Sequence, residues 1–368
     1  MRTDIHYGWP VSPYSAKTRS YLKYIKHPVK DVEPNVFTLQ RTIGKAVGRA
    51  VMPTVRCRDG QWLQDSSVII DHYESSGLYP SIRPPGITQR FASALLEVFA
   101  DEWLPMVALH YRWNRSVNAK FAIDEFARYG LPLVPRFLGR IGARPIARQM
   151  QSYLPALGVT DETIPGIEAT TTLVIEVLNE QLSKSAYLFG GRPSLADFSL
   201  YGPLWAHLYR DPGNAHLFVN APALVRWMEQ LTQGAESRGL FNPDDTVCAT
   251  LDPLFQCVFL DQWPWIRQVC SAINGFCDEH PQALRVPRAL GEAQFTIGGC
   301  VGSRKLITFT QWKAQRAVEL FDPDAIGPWL SRVLGLSSDE RTQQVMPAIR
   351  YPFSLVDFKP VIQSRKLS

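Results

Sequence analysis

Apolar residues run almost unbroken from Ile5 to Val11 and then recur at Tyr14, Thr18, Tyr21, Leu22 and Ile25, so the pattern predicts a strand passing directly into an amphipathic helix. A second strand is expected near Val32 to Thr38, a helix near Leu39 to Val47, strands around Thr54 and Trp62, and a helix from Ser66 to Ser75. The run Tyr79-Pro80-Ser81-Ile82-Arg83-Pro84-Pro85-Gly86 has the turn chemistry of a linker. From Thr88 to about Gln233 the period is helical throughout. Beyond Phe241 the pattern turns mixed: helical over Leu254 to Phe276, paired strands at Gln294 to Ile297 and Lys305 to Thr310, a helix over Gln311 to Phe321, and then a loose tail.

Three local motifs carry chemistry. Ser12-Pro13-Tyr14-Ser15 stands at the first strand-to-helix corner and has the shape of a redox Cys-Pro-Tyr-Cys with oxygen in place of both sulfurs. A helix N-terminus stabilises a thiolate through its free N–H groups and dipole, so this corner suits a thiol brought in by a ligand. Met52-Pro53 opens the third strand, and Asp65-Ser66 precedes an apolar helix, where Ser66 is expected as the N-cap. Taken singly, Ser12-Pro13 and Asp65-Ser66 read more readily as ordinary helix capping; the order of the three motifs within the first 75 residues distinguishes them.

In that order the motifs resemble the N-terminal domain of a glutathione transferase. The resemblance implies that Met52, before a cis Pro53, offers its backbone to the cysteinyl part of glutathione. It also implies that Asp65 meets the α-ammonium of the γ-glutamyl group and Ser66 its carboxylate. Ser12 is the first candidate to activate the thiol, Ser15 the second, and Tyr7 on the first strand the third. Gly190-Gly191-Arg192-Pro193-Ser194-Leu195-Ala196-Asp197 resembles the folding element of the family's helical domain, with Ser194 and Asp197 as a structural capping box. Trp103, Tyr111, Arg112 and Trp113 fall where the family builds a second pocket for an apolar cosubstrate, although core packing explains the tryptophans as well.

The expected architecture is therefore a thioredoxin-like α/β domain over residues 1–80, an all-α domain like the C-terminal domain of glutathione transferases over 86–240, and a smaller α+β extension over 241–368. The expected function is a glutathione-dependent transferase that takes glutathione as cosubstrate and attacks a hydrophobic small molecule. Two other readings stand beside it: a metaxin-like interaction module without turnover, and a glutathione-dependent lyase or isomerase. A homodimer is one possible assembly.

Composition narrows the partners. Thirty-nine basic against 34 acidic residues leave a net charge of +5, too sparse and too poor in interleaved aromatics for a nucleic-acid surface. Lys17, Arg19, Lys23 and Lys26 on the first helix read as a solvated face. Six cysteines without a Cys-x-x-Cys pair or a nearby His suggest neither a metal site nor a disulfide framework. The N-terminus lacks the apolar core of a signal peptide and no run suggests a membrane span, so a reduced cytoplasm is the expected compartment. The cluster Gly298-Gly299-Cys300-Val301-Gly302 lacks the Gly-Lys-Ser/Thr ending of a phosphate loop and reads as a hairpin turn.

Overall fold

The computed structural model describes residues 3–335 and 346–363. The chain opens with β1 (Asp4–Tyr7), α1 (Pro13–Tyr24), β2 (Val29–Val32), a wide helical turn at Thr38–Ile43 entering α2 (Gly44–Val47), β3 (Thr54–Arg56), β4 (Trp62–Gln64) and α3 (Ser66–Ser75). The four strands form one sheet in the order β2-β1-β3-β4, with β1 parallel to β2 and antiparallel to β3.

Two strand boundaries differ from the sequence reading for the same reason. The Gly8 N–H makes the last bond to β2, at Val32 O, and Trp9 to Ser12 leave the ladder, since Pro10 has no N–H to give and the Trp9 indole donates to Pro34 O at 2.8 Å. The second strand ends at Val32, ahead of Pro34, and the Asn35 side chain then receives the Thr38 N–H at the start of the next helical segment.

The helical layer comprises α4 (Ile87–Val98), α5 (Leu104–Trp113), α6 (Ser116–Gly130), α7 (Arg136–Gln151), α8 (Tyr153–Ala156), α9 (Ile164–Lys184), α10 (Leu195–Pro203) and α11 (Pro222–Gln233). A wide turn at Phe99–Trp103 joins α4 to α5. The capping box forms at α10: Asp197 accepts the Ser194 N–H at 2.8 Å, and it also accepts from Leu188 N and the Trp227 indole. Such a cap contributes about 0.5–2 kcal/mol.

The extension continues as α12 (Asp252–Cys257), α13 (Trp263–Glu279), β5 (Ala289–Ile297), β6 (Cys300–Ile307), α14 (Phe309–Val318), α15 (Pro323–Leu334), β7 (Phe353–Val356) and β8 (Lys359–Ile362). Helices α14 and α15 pack on α4, and Phe255, Phe259, Trp263, Trp265 and Ile266 are all buried. The β5–β6 turn is only Gly298-Gly299, both at positive φ, so β6 starts at Cys300 and the helix at Phe309, earlier than the periodicity suggested. The chain beyond Phe321 is ordered where described: Asp322 caps α15, and β7 pairs with β8 with Phe353 and Ile362 buried. This corrects the expectation of a loose tail.

Candidate functional site

The register of the sheet defines one edge. Tyr7 pairs with Thr54 and Thr54 with Gln64, so the chain leaving β1 toward α1, the Met52–Pro53 peptide entering β3, and Asp65 leaving β4 toward α3 all lie at the same end. The Met52–Pro53 bond is cis. Both helix N-termini point their free N–H groups toward this edge, an arrangement suited to an anionic ligand.

Ser12 is the N-cap of α1, and its Oγ accepts the Ser15 N–H at 3.3 Å. That bond is long and uses only a lone pair, leaving the hydroxyl proton free to donate. The Val11 carbonyl beside it accepts from Arg112 Nη1 at 3.0 Å and from His207 Nε2 at 3.1 Å. Burial, with the Arg112 charge adding to it, keeps the His207 ring well below the usual histidine range, so it stays neutral. The helical layer thus fixes the corner that carries Ser12.

The other two thiol candidates sit in different surroundings. Ser15 is fully buried under β1, with its side chain so close to Gly8 that a Cβ there would lie 2.6 Å from Ser15 Cβ. Its hydroxyl is buried and has no hydrogen-bond partner. Tyr7 leaves β1 on the opposite face from His6, which reaches α1 through Thr18, and Tyr7 stacks on Trp62 with ring centroids 5.8 Å apart.

At α3 the N-cap is Asp65, not Ser66: the carboxylate accepts the Ser67 N–H at 2.8 Å, and Ser66 is the first helical residue. Asp65 sits at φ 82°, the left-handed half of backbone space, which swings its carboxylate off the strand line. Ser66 Oγ is buried and has no hydrogen-bond partner. Asp65 Oδ1 also accepts from Lys313 Nζ at 2.9 Å, and that ammonium reaches Ser67 Oγ at 2.7 Å and Asp101 Oδ2 at 3.1 Å.

Lys313 belongs to a charge network that joins all three parts of the chain. Lys17 of α1 donates to Glu97 at 2.8 Å and to Asp101 at 2.9 Å, and Ser67 donates to Glu97. Arg316 of α14 pairs with Asp71 of α3 and approaches Glu97. Lys17 is thus buried and not part of a solvated face; Arg19 pairs with Asp31, and Lys23 donates to the Thr232 carbonyl. Burial alone would push Lys313 down and Asp65 and Glu97 up, but the opposed charges win: the lysine is raised and both carboxylates are lowered.

The four residues expected to wall a second pocket are buried, between 0% and 7% exposed. Trp103 is sealed by the extension: it packs edge-on against Phe295 of β5, and Arg304 of β6 lies over Trp265 at 3.8 Å and over Trp103 at 5.3 Å. Arg112 forms a two-pronged ion pair with Asp211, itself fully buried. Tyr111 and Trp113 pack in the helical core, Trp113 against Phe126.

Sequence reasoning missed Glu97, Asp101, Lys313, Arg316 and His207. A signal existed for the first two: acids one turn apart inside an otherwise apolar run cannot remain uncompensated in a core. Among the described residues no cluster of His, Cys, Asp and Glu could hold a metal ion, and no helix is long and apolar enough to cross a membrane.

Fold and edge geometry agree with the comparisons. Residues 7–76 match the family model "Glutathione S-transferase, N-terminal domain" and residues 172–230 match "Glutathione S-transferase, C-terminal domain". The chain is a glutathione S-transferase-like protein, with a mixed-sheet N-terminal domain, a helical domain and a small extra β region toward the C-terminus. No curated protein matches it. Solved structures that resemble it include a glutathione S-transferase from Xanthobacter autotrophicus Py2, at 18% identity and TM-score 0.38 over 66% of this chain and 98% of that one. The β-etherase LigF from Sphingobium sp. strain SYK-6 aligns at 18% identity and TM-score 0.41, over 69% of this chain and 99% of that one. A glutathione transferase family member from Pseudomonas fluorescens Pf-5, solved with bound glutathione, aligns at 16% identity and TM-score 0.35, over 63% of this chain and 95% of that one.

Proposed function

We propose that this protein binds glutathione along the edge formed by the α1 N-terminus, the Met52–Pro53 peptide and the α3 N-terminus, and that Ser12 holds its thiolate for attack on a hydrophobic electrophile. The observation that carries this reading is the state of Ser12 Oγ: it caps α1 through one long bond and keeps its proton available. A thiol of reference pKa ~8.5 is only a few per cent ionised at neutral pH, and lowering it by about two units takes roughly 2.7 kcal/mol of thiolate stabilisation. One hydroxyl donor and the first-turn N–H groups of α1 are of the right size for that task.

Met52 would present its backbone to the cysteinyl unit. The unpartnered Ser66 hydroxyl and the first-turn N–H groups of α3 suit the γ-glutamyl carboxylate, and Asp65 Oδ2, which accepts no bond among the described residues, suits the α-ammonium. Calorimetry with Asp65→Ala and Ser66→Ala tests the assignment: each is expected to weaken glutathione binding by about 1–3 kcal/mol through lost charge-assisted hydrogen bonds. Unchanged affinity in both folded variants would remove it. Ether cleavage and cis–trans isomerisation would use the same thiolate and differ only in the electrophile.

One observation favours the second reading, an interaction module without turnover. Lys313 already supplies an ammonium to Asp65, the residue that the tripeptide would otherwise neutralise. On that reading wild type turns over no electrophile even where it is retained on glutathione; turnover by wild type decides for the transferase reading.

A further inference from the structure

Helix α7 is built inside out for a helix of a soluble core. It meets the rest of the protein through Gly139, Ala143 and Ala147, its only fully buried residues, spaced one turn apart. A Cβ at Gly139 would lie 3.3 Å from Ala127 Cβ of α6, so the small residues permit a close helix-to-helix approach. An amphipathic helix ordinarily turns its large apolar residues inward. Here Phe137 is 66% exposed, Ile141 56% and Leu138 46%, and in the preceding turn Leu133 is 96% exposed.

At about 100° per residue, Phe137, Ile141, Pro145 and Leu138 fall on the face opposite the Gly139-Ala143-Ala147 seam. Arg136, Arg140, Arg144 and Arg148 follow at one-turn spacing along one flank of that apolar stripe, and α7 contains no acidic residue. Arg140 pairs with Asp124 of α6, while Arg136, Arg144 and Arg148 pair with no carboxylate among the described residues. The exposed apolar side chains of α7 continue into the α6–α7 turn at Leu133 and Val134.

We propose that the α6–α7 hairpin is a docking surface for an anionic phospholipid bilayer. An exposed apolar stripe flanked by a row of arginines matches the acyl boundary and anionic headgroups of a bilayer. Guanidinium groups along the flank reach the lipid phosphates while their stems stay against the apolar layer. Charge complementarity also disfavours a second copy of the same face, because two-fold pairing would bring the uncompensated arginines of one hairpin toward those of the other.

Vesicle flotation of the full chain tests this, using phosphatidylcholine vesicles with and without phosphatidylserine. Wild type is expected to float with the anionic vesicles, to stay behind with the neutral ones, and to be released by salt. The Arg144→Glu, Arg148→Glu double variant should bind anionic vesicles at least roughly tenfold more weakly. Phe137→Ser with Ile141→Ser should weaken binding while circular dichroism and thermal midpoint stay at wild-type values, since both residues are exposed. Absence of wild-type flotation at low salt overturns the proposal, as does equal binding by the charge variant. Sedimentation velocity supplies the remaining outcome: a wild-type dimer that Phe137→Ser, Ile141→Ser dissociates, with no vesicle binding, would make this face a subunit contact instead.

Discussion

Lys313 Nζ and Asp65 Oδ1 are 2.9 Å apart although 248 residues separate them in the chain. The contact links the C-terminal extension to the acid that begins α3, and both side chains are largely withdrawn from solvent. Removing one partner of a buried ion pair costs more than the pair is worth, because the other charge remains without compensation. Lys313→Met is therefore expected to destabilise the protein by about 3–5 kcal/mol, and adding Asp65→Asn should recover part of that. Urea denaturation of the three proteins measures both quantities.

Arg112 acts on the site from a distance. Arg112→Met leaves Asp211 unpaired and removes one of the two donors to the Val11 carbonyl that precedes Ser12, His207 being the other. The expected loss is about 3–5 kcal/mol of stability. The double change Arg112→Met, Asp211→Leu should regain much of the stability without restoring the proposed glutathione turnover to the wild-type rate, since one of the two Val11 anchors is still missing.

Glu102 gives the extension a pH dependence. Burial raises its carboxyl, Asp101 raises it further, and the Thr310 hydroxyl and Lys313 hold it back, to a net value of about 7. The unfolded value is near ~4.3. Between these values the folded state binds the extra proton, so this group's contribution is full below the unfolded value and is lost as pH rises through about 7. Denaturation midpoints should fall for wild type relative to Glu102→Gln between pH ~5 and ~8. Parallel curves for the two proteins would contradict it.

Thiol–disulfide exchange should be absent. Cys57 is buried, and burial, followed by the Asp4 and Asp59 charges, pushes its thiol up to about 11. A mixed disulfide needs a protein thiolate at the site, and the α1 corner carries only hydroxyls. Glutathione-dependent reduction of a disulfide substrate that disappears in Cys57→Ser would overturn this.

The part of the molecule legible in the sequence is the part built from neighbours. Ser12-Pro13 at a strand-to-helix corner, Met52-Pro53 before a strand and Ser194-x-x-Asp197 are local signals, and each forms a local structure. The acid that caps α3 was legible only to within one residue, because Asp65 and Ser66 are equally good cap formers and the choice rests on the φ of 82° at Asp65. Lys17 looked like a solvated lysine, and Lys313 drew no reading, because nothing nearby in sequence announces carboxylates from another layer. The β7–β8 hairpin was missed for a local reason: Asp357 and Phe358 take positive φ in its turn without a glycine to mark it.

The central claim, a glutathione thiolate held by Ser12, is tested most directly by ultraviolet titration of the bound thiol in wild type, Ser12→Ala, Ser15→Ala and Tyr7→Phe. Wild type is expected to hold the thiol about two units below its free value of ~8.5. Ser12→Ala should move it back toward that value and slow conjugation at neutral pH, with glutathione affinity nearly unchanged and the deficit shrinking as pH rises. Ser15→Ala and Tyr7→Phe should leave the shift in place, because Ser12 is the α1 N-cap, whereas Ser15 is buried against Gly8 and Tyr7 stacks on Trp62. An unshifted thiol in wild type, or a shift that survives Ser12→Ala and disappears in either of the others, would contradict the account.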